Sequence, residues 1–144
     1  MKLFTIGFTQ RSAEDFFTRL QASGVRRVVD VRLNNTSQIA GFAKSRDLQY
    51  FLRAVADIDY VHVPEFAPTQ DILDALKKNK GTWTDYEREF GVLLRDRDIA
   101  GIGTKILRDG DCLLCSEFTP EQCHRRLIAE HLQRQSPEIE VIHL

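Results

Sequence analysis

Short apolar runs alternate with helix-periodic segments along the whole chain, and few folds accommodate that alternation. Leu3 to Gly7 reads as a buried strand. Ser12 then opens a helix with Phe16, Phe17 and Leu20 on its apolar face, Asp15 at the capping-box position and Gly24 as the stop. Val25 to Val31 is a β-branched run leading into Asp30-Val31-Arg32. Strand, helix and strand within about 30 residues form a βαβ unit, which predicts a parallel pair.

The pattern continues downstream. Leu33 to Ala43 is polar and irregular and is expected to be a loop. Ser45 opens a second helix, with Leu48, Phe51, Leu52 and Val55 spaced along one face. Tyr60 to Val63 is a third strand, closed by Pro64. Thr69 caps a short helix carrying Ile72, Leu73 and Leu76, which Gly81 breaks. Thr84 begins another, with Tyr86, Phe90, Leu93 and Leu94 on its apolar side. Ile99 to Gly110 holds three glycines and reads as a connecting loop; its Gly-Ile-Gly is too weak a signal for a phosphate cradle. Cys112 to Cys115 is the fourth strand. Thr119 is expected to cap a last helix, with Pro120 at its first position and Gln122 completing a capping box, running to about Gln133. Glu140 to His143 is the final strand. The order predicts a single α/β domain over residues 1–144, with a mainly parallel sheet of about five strands and helices on both faces.

Composition fits that reading. A chain of 144 residues buries enough surface to fold without a disulfide or metal. The formal net charge of −1 gives no overall basic footprint for nucleic acid. No apolar run is long enough to span a bilayer, and the opening run is too short for a signal segment, so a cytoplasmic setting is expected. An odd number of cysteines (Cys112, Cys115 and Cys123) suits that setting better than a secreted disulfide framework.

Ligands bind outside the carboxyl ends of strands in sheets of this kind. Polar residues recur at those ends: Thr9 after the first strand, Asp30 and Arg32 at the second, His62 in the third, Cys115 and Glu117 at the fourth. The helix after the fourth strand adds Cys123, His124 and Arg125. The stretch from Cys115 to Arg125 is the densest in chemistry. A helix start there would offer free N–H groups and partial positive charge to an anion. A cysteine beside it, close to His and Arg, would gain thiolate character.

Four motifs in chain order resemble the family called domain of unknown function 488. They are Thr5-Ile6-Gly7, Asp30-Val31-Arg32, Tyr60-Val61-His62-Val63-Pro64 and Cys115-x-Glu117-x-x-Pro120-x-x-Cys123-His124-Arg125. Only the last is specific, but together they span nearly the whole chain. Phe8-Thr9 stands where the family pattern has His-Ser, so the resemblance assigns no histidine to position 8. It implies an α/β fold and a shared site. It implies no activity, since the family is named for the lack of one.

Several readings of these residues stay open. Cys115 and Cys123 are candidate nucleophiles, candidate metal ligands or packed small residues. Cys112 belongs to the core, because alternation on a strand turns it away from Cys115. The leading function is an enzyme-like pocket for a small anionic molecule, a nucleotide or a nucleic-acid piece. In it Asp30, Cys115, Glu117, Cys123 and His124 supply the chemistry, and Thr9, Arg32, His62 and Arg125 hold the ligand. A metal-binding or thiol-reactive site built from Cys115, Cys123 and His124 is the alternative. Against one shared ion, neighbouring helical residues diverge by about 100°. A non-catalytic module for nucleic acid or protein is the third reading. The spacing of Cys115 and Cys123 to Arg125 fits no Cys-x5-Arg phosphatase loop, and no Walker, Rossmann or Gly-x-Ser-x-Gly motif indicates a cofactor.

Overall fold

A computed structural model describes residues 1–36, 41–117 and 119–144. Its elements are β1 (Lys2–Gly7), α1 (Ala13–Ser23), β2 (Arg27–Asp30), α2 (Ser45–Phe51), β3 (Asp59–His62), α3 (Gln70–Lys77), α4 (Trp83–Asp96), α5 (Ile99–Ile106), β4 (Asp111–Cys115), α6 (His124–Gln135) and β5 (Glu140–His143). The strands form one five-stranded sheet in the order β3-β2-β4-β1-β5. Every pairing in it is parallel.

Alternation along the strands builds two apolar layers, one on each side of the sheet. Phe4, Ile6, Val28, Cys112 and Leu114 pack under Phe16, Phe17 and Leu20 of α1 and Leu48 of α2. Leu3, Val29, Leu113 and Cys115 pack under Phe90 and Leu94 of α4, Ile99 of α5 and Leu127 and Ile128 of α6. Cys112 and Cys115 therefore face opposite layers. Each fully buried Leu, Ile or Phe contributes about 1.5–3 kcal/mol, so these layers dominate stability. Ser12 caps α1 by accepting from the Asp15 N–H, and Gly24 ends it in the left-handed region at φ 79°. Thr69 caps α3 in the same way, through the Ile72 N–H.

The structure corrects the sequence-based expectations at several points. β1 and β2 are parallel but not adjacent, because β4 lies between them. A βαβ crossover fixes direction, not adjacency. The central place goes to β4, whose five residues are all buried. Ile99–Ile106 is a helix, not a loop: Asp98 accepts from the Gly101 N–H at its start. Gly103 lets the helix lie close to α6: a Cβ there would sit 2.6 Å from a Leu132 methyl, which would have to shift. Thr82, not Thr84, caps α4. Val55 is exposed, because α2 passes into a π-helical turn at Leu52–Ala56 that takes it off the buried face. Of the expected loop from Leu33 to Ala43, residues 37–40 lie outside the described residues, and Gly41–Ala43 forms a short 3-10 turn. Among the described residues no helix is long and apolar enough to cross a membrane.

One glycine ties the sheet to the segment after β4. A Cβ on Gly7 would overlap the carbonyl oxygen of Glu117 and sit 2.9 Å from Arg125 Nη1. Gly7→Ala should therefore destabilise the protein by about 2 kcal/mol or more, read as a lower urea midpoint. An unchanged midpoint would contradict this close approach.

Candidate functional site

The parallel registers set the site. Gly7 lies opposite Cys115, and Asp30 lies opposite both Leu114 and His62. The carboxyl ends of β1, β4, β2 and β3 thus line one edge of the sheet. After β4 the chain turns through Pro120–Cys123, where the Cys123 N–H bonds to the Pro120 carbonyl at 3.2 Å. α6 begins only at His124. Thr119 does not cap it, and Gln122 completes no capping box, because Pro120 to Gln122 form this turn instead of the first helical residues. Cys123 is the N-cap, with extended backbone (φ −136°, ψ 139°) and no side-chain cap bond.

That late start also removes the objection to a shared ion. Cys123 is not helical, so the divergence of about 100° between successive helical residues does not apply to it. The sulfurs of Cys115 and Cys123 and a ring nitrogen of His124 all lie within 4.8 Å of one another. His124 Nδ1 is 3.2 Å from Cys115 Sγ, and its Nε2 is 2.7 Å from the Val31 carbonyl oxygen. A carbonyl only accepts, so Nε2 carries the proton and Nδ1 is the unprotonated nitrogen; Cys115 Sγ, also 3.6 Å from Nε2, lies over the ring face. Phe90 meets the imidazole edge-on, with ring centres 5.9 Å apart.

The electrostatics divide the two cysteines. Burial pushes the Cys115 thiol up, but the Cys123 thiol, the Ser116 N–H, the Arg125 charge and the Glu117 N–H together hold it below the ordinary cysteine range. Burial drives Cys123 far up, and its hydrogen bond to Cys115 adds to that. Burial also lowers His124, which favours the neutral ring. The same buried pocket thus favours ionisation at Cys115 and opposes it at Cys123 and at His124.

A cleft of about 220 Å³ opens onto these groups; Arg32, Trp83, Cys115, Glu117, Cys123 and His124 are among the residues that line it. Other expected site residues support it from behind. Arg125 is fully buried and donates to the Glu117 carbonyl and, at 3.3 Å, to the Thr5 hydroxyl. Thr9 donates its hydroxyl to the Ser116 carbonyl at 2.8 Å. His62 Nε2 donates to the Arg32 carbonyl at 2.8 Å. Thr9, His62 and Arg125 thus fasten the turns around the cleft, while Glu117 lies exposed at its wall. Sequence reasoning missed Asn35, Phe8 and the Trp83–Tyr86 stack, whose ring centres are 4.8 Å apart. The departure at Phe8 was the one visible signal among them.

Asp30 is the buried hub of the second half of the site. It accepts from Arg32 Nε and Nη2 at 2.9 and 2.8 Å, from the Tyr60 hydroxyl at 2.6 Å and from Asn35 at 3.4 Å. Burial alone would raise its pKa, but the Arg32 hydrogen bonds and charge, with Tyr60, bring it below the usual value. A lowered folded-state pKa means stability that is present above the unfolded value and is lost as pH falls through the folded one. Unfolding free energy should therefore decline as pH drops below about 4. Asp30→Asn leaves Arg32 buried without its counter-charge and should cost about 3–5 kcal/mol at neutral pH. Its acid decline should be shallower than that of the wild type, measured by urea titrations across a pH series. Equal acid slopes would contradict the assignment.

A family profile described as "Domain of unknown function DUF488" matches residues 12–132, most of the chain. No curated protein and no solved structure matches it. The edge-of-sheet cleft and the Cys115-to-Arg125 segment thus sit in a chain that belongs to the DUF488 family.

Proposed function

We propose that Cys115, Cys123 and His124 bind one thiophilic divalent cation of the zinc type, in a pocket built to act on an anionic ligand. One observation carries the reading: the sulfurs of Cys115 and Cys123 and a ring nitrogen of His124 lie within 4.8 Å of one another, and the His124 Nε2 proton is committed to the Val31 carbonyl, which leaves Nδ1 unprotonated. Histidines that ligate metals almost always donate their other N–H to such an acceptor, which fixes tautomer and orientation. Two sulfurs and one imidazole nitrogen are a soft donor set that suits zinc.

Three protein ligands with a fourth position left over characterise catalytic rather than structural zinc. Here the fourth position would face the cleft, where Glu117 is the carboxylate among the lining groups. A bound cation would polarise a ligand oxygen or activate water. The chain's own part would be to exclude bulk water with Trp83 and Tyr86, to hold an anion with Arg32, and to accept or deliver a proton at Glu117. The second reading is a metal-free thiol centre. The hydrogen bond from the Cys123 thiol to Cys115 favours it, because that bond stabilises a nucleophilic thiolate.

Elemental analysis of freshly purified protein, followed by zinc titration against a chromogenic chelator, separates the two. The account predicts about one zinc per chain. Cys115→Ala, Cys123→Ala and His124→Ala should each weaken binding by more than the roughly 10–100-fold typical of an outer-shell loss. Cys112→Ala, in the opposite layer, should bind as the wild type does. Circular dichroism verifies that each variant is folded. Less than about a tenth of an equivalent, with no uptake on titration, would overturn the metal reading. Rapid alkylation of Cys115 by iodoacetamide in such metal-free protein would establish the thiol reading in its place.

A further inference from the structure

Among the described residues that line the cleft, Arg32 is the one whose buried hydrogen bonding is left incomplete. Its side chain is only 2% exposed. Nε and Nη2 are held by Asp30, while Nη1 is buried without a hydrogen-bond partner. A buried charged donor left unpaired is disfavoured, and in a native protein it calls for an explanation. The guanidinium cannot swing away to find a partner. Asp30 grips two of its nitrogens, and the Phe8 ring lies 5.2 Å from its central carbon.

The same cleft has an apolar wall. Trp83 lines it, half-buried, and is stacked on Tyr86 with the ring planes 20° apart. Leu73 and Leu76 extend that wall, and Lys77 adds a second cation to the lining. A volume of about 220 Å³ suits a single ring with one substituent rather than a polymer.

We infer that the cleft binds a small, flat, ring-bearing oxyanion, its phosphate or carboxylate on Arg32 Nη1 and its ring against Trp83. The inference rests on the cleft being a ligand site, as proposed above. It draws on no metal donor, so the two readings fail separately. Phe8 has a role in this arrangement: its ring lies against the guanidinium and helps to hold it in place.

Trp83 is the only tryptophan of the chain, so its fluorescence reports on the cleft directly. Zinc-loaded and chelator-treated protein is titrated with phenyl phosphate, benzoate and the neutral analogue benzyl alcohol. At least one anionic probe should change the fluorescence saturably and bind about tenfold or more tightly than the alcohol. Success with phenyl phosphate alone identifies phosphate as the group recognised, and success with benzoate alone identifies carboxylate. Arg32→Lys should lose about tenfold in anion affinity while zinc binding is retained. The double variant Arg32→Gln/Asp30→Asn removes both buried charges together, avoids a lone buried carboxylate, and should show the same loss. Equal affinity for the neutral alcohol, or undiminished affinity in the folded double variant, would overturn the inference. So would the absence of a saturable change with every probe. Anion binding that persists in protein unable to take up zinc overturns the metal reading alone.

Discussion

Parallel strands cannot be joined by tight turns; each needs a crossover, and the crossovers place every carboxyl end on the same edge. The candidate site depends on that constraint. Gly7, Asp30, His62 and Cys115 are far apart in sequence, yet they occupy matched positions on neighbouring strands. β4 is the middle strand, so Cys115 leaves the sheet at the centre of that edge, with β1 on one side and β2 on the other. The polar groups of both neighbours then lie within reach of it.

The buried and half-buried polar groups along this edge divide the labour. His124 and His62 donate to the Val31 and Arg32 carbonyls in turn, so two imidazoles hold the chain where it leaves β2. Arg125 and Thr9 hold the turn after β4 through the Glu117 and Ser116 carbonyls. Asp30 gathers Arg32, Tyr60 and Asn35. In a medium of low dielectric, such bonds are strong when complete and costly when broken, so the network is stiff. Within it, the donor atoms of Cys115, Cys123 and His124 are gathered within 4.8 Å of one another, and Arg32 Nη1 is left without a partner. These carry the functional reading, while Thr9, His62 and Arg125 keep the surrounding backbone in place.

Much of the fold was legible in the sequence because it rests on local signals. Strand runs, apolar helix faces and the Ser12, Gly24 and Thr69 caps each depend on a few consecutive residues, and they stand where their chemistry puts them. The insertion of β4 between β1 and β2 was not legible, since strand adjacency is decided by burial in the whole sheet. α5 was hidden by Gly101 and Gly103. One lies where Asp98 caps the helix, and the other sits close against a Leu132 methyl. At the candidate site, the motif misplaced the start of α6. A Thr-Pro-x-Gln pattern resembles a helix cap, yet the chain turns there and delays the helix to His124. That delay is what lets adjacent residues converge on one point. Phe8 could be seen as a departure, but its place over Arg32 is a contact between separate loops that no local pattern encodes.

X-ray absorption at the zinc edge tests the central claim most directly, because it reads the donor atoms themselves. Zinc-loaded protein should show a first shell of two sulfurs at about 2.3 Å, with one imidazole nitrogen and one further light atom at about 2.0–2.1 Å. A shell made only of oxygen and nitrogen, or one with four sulfurs, would contradict a cation held by Cys115, Cys123 and His124.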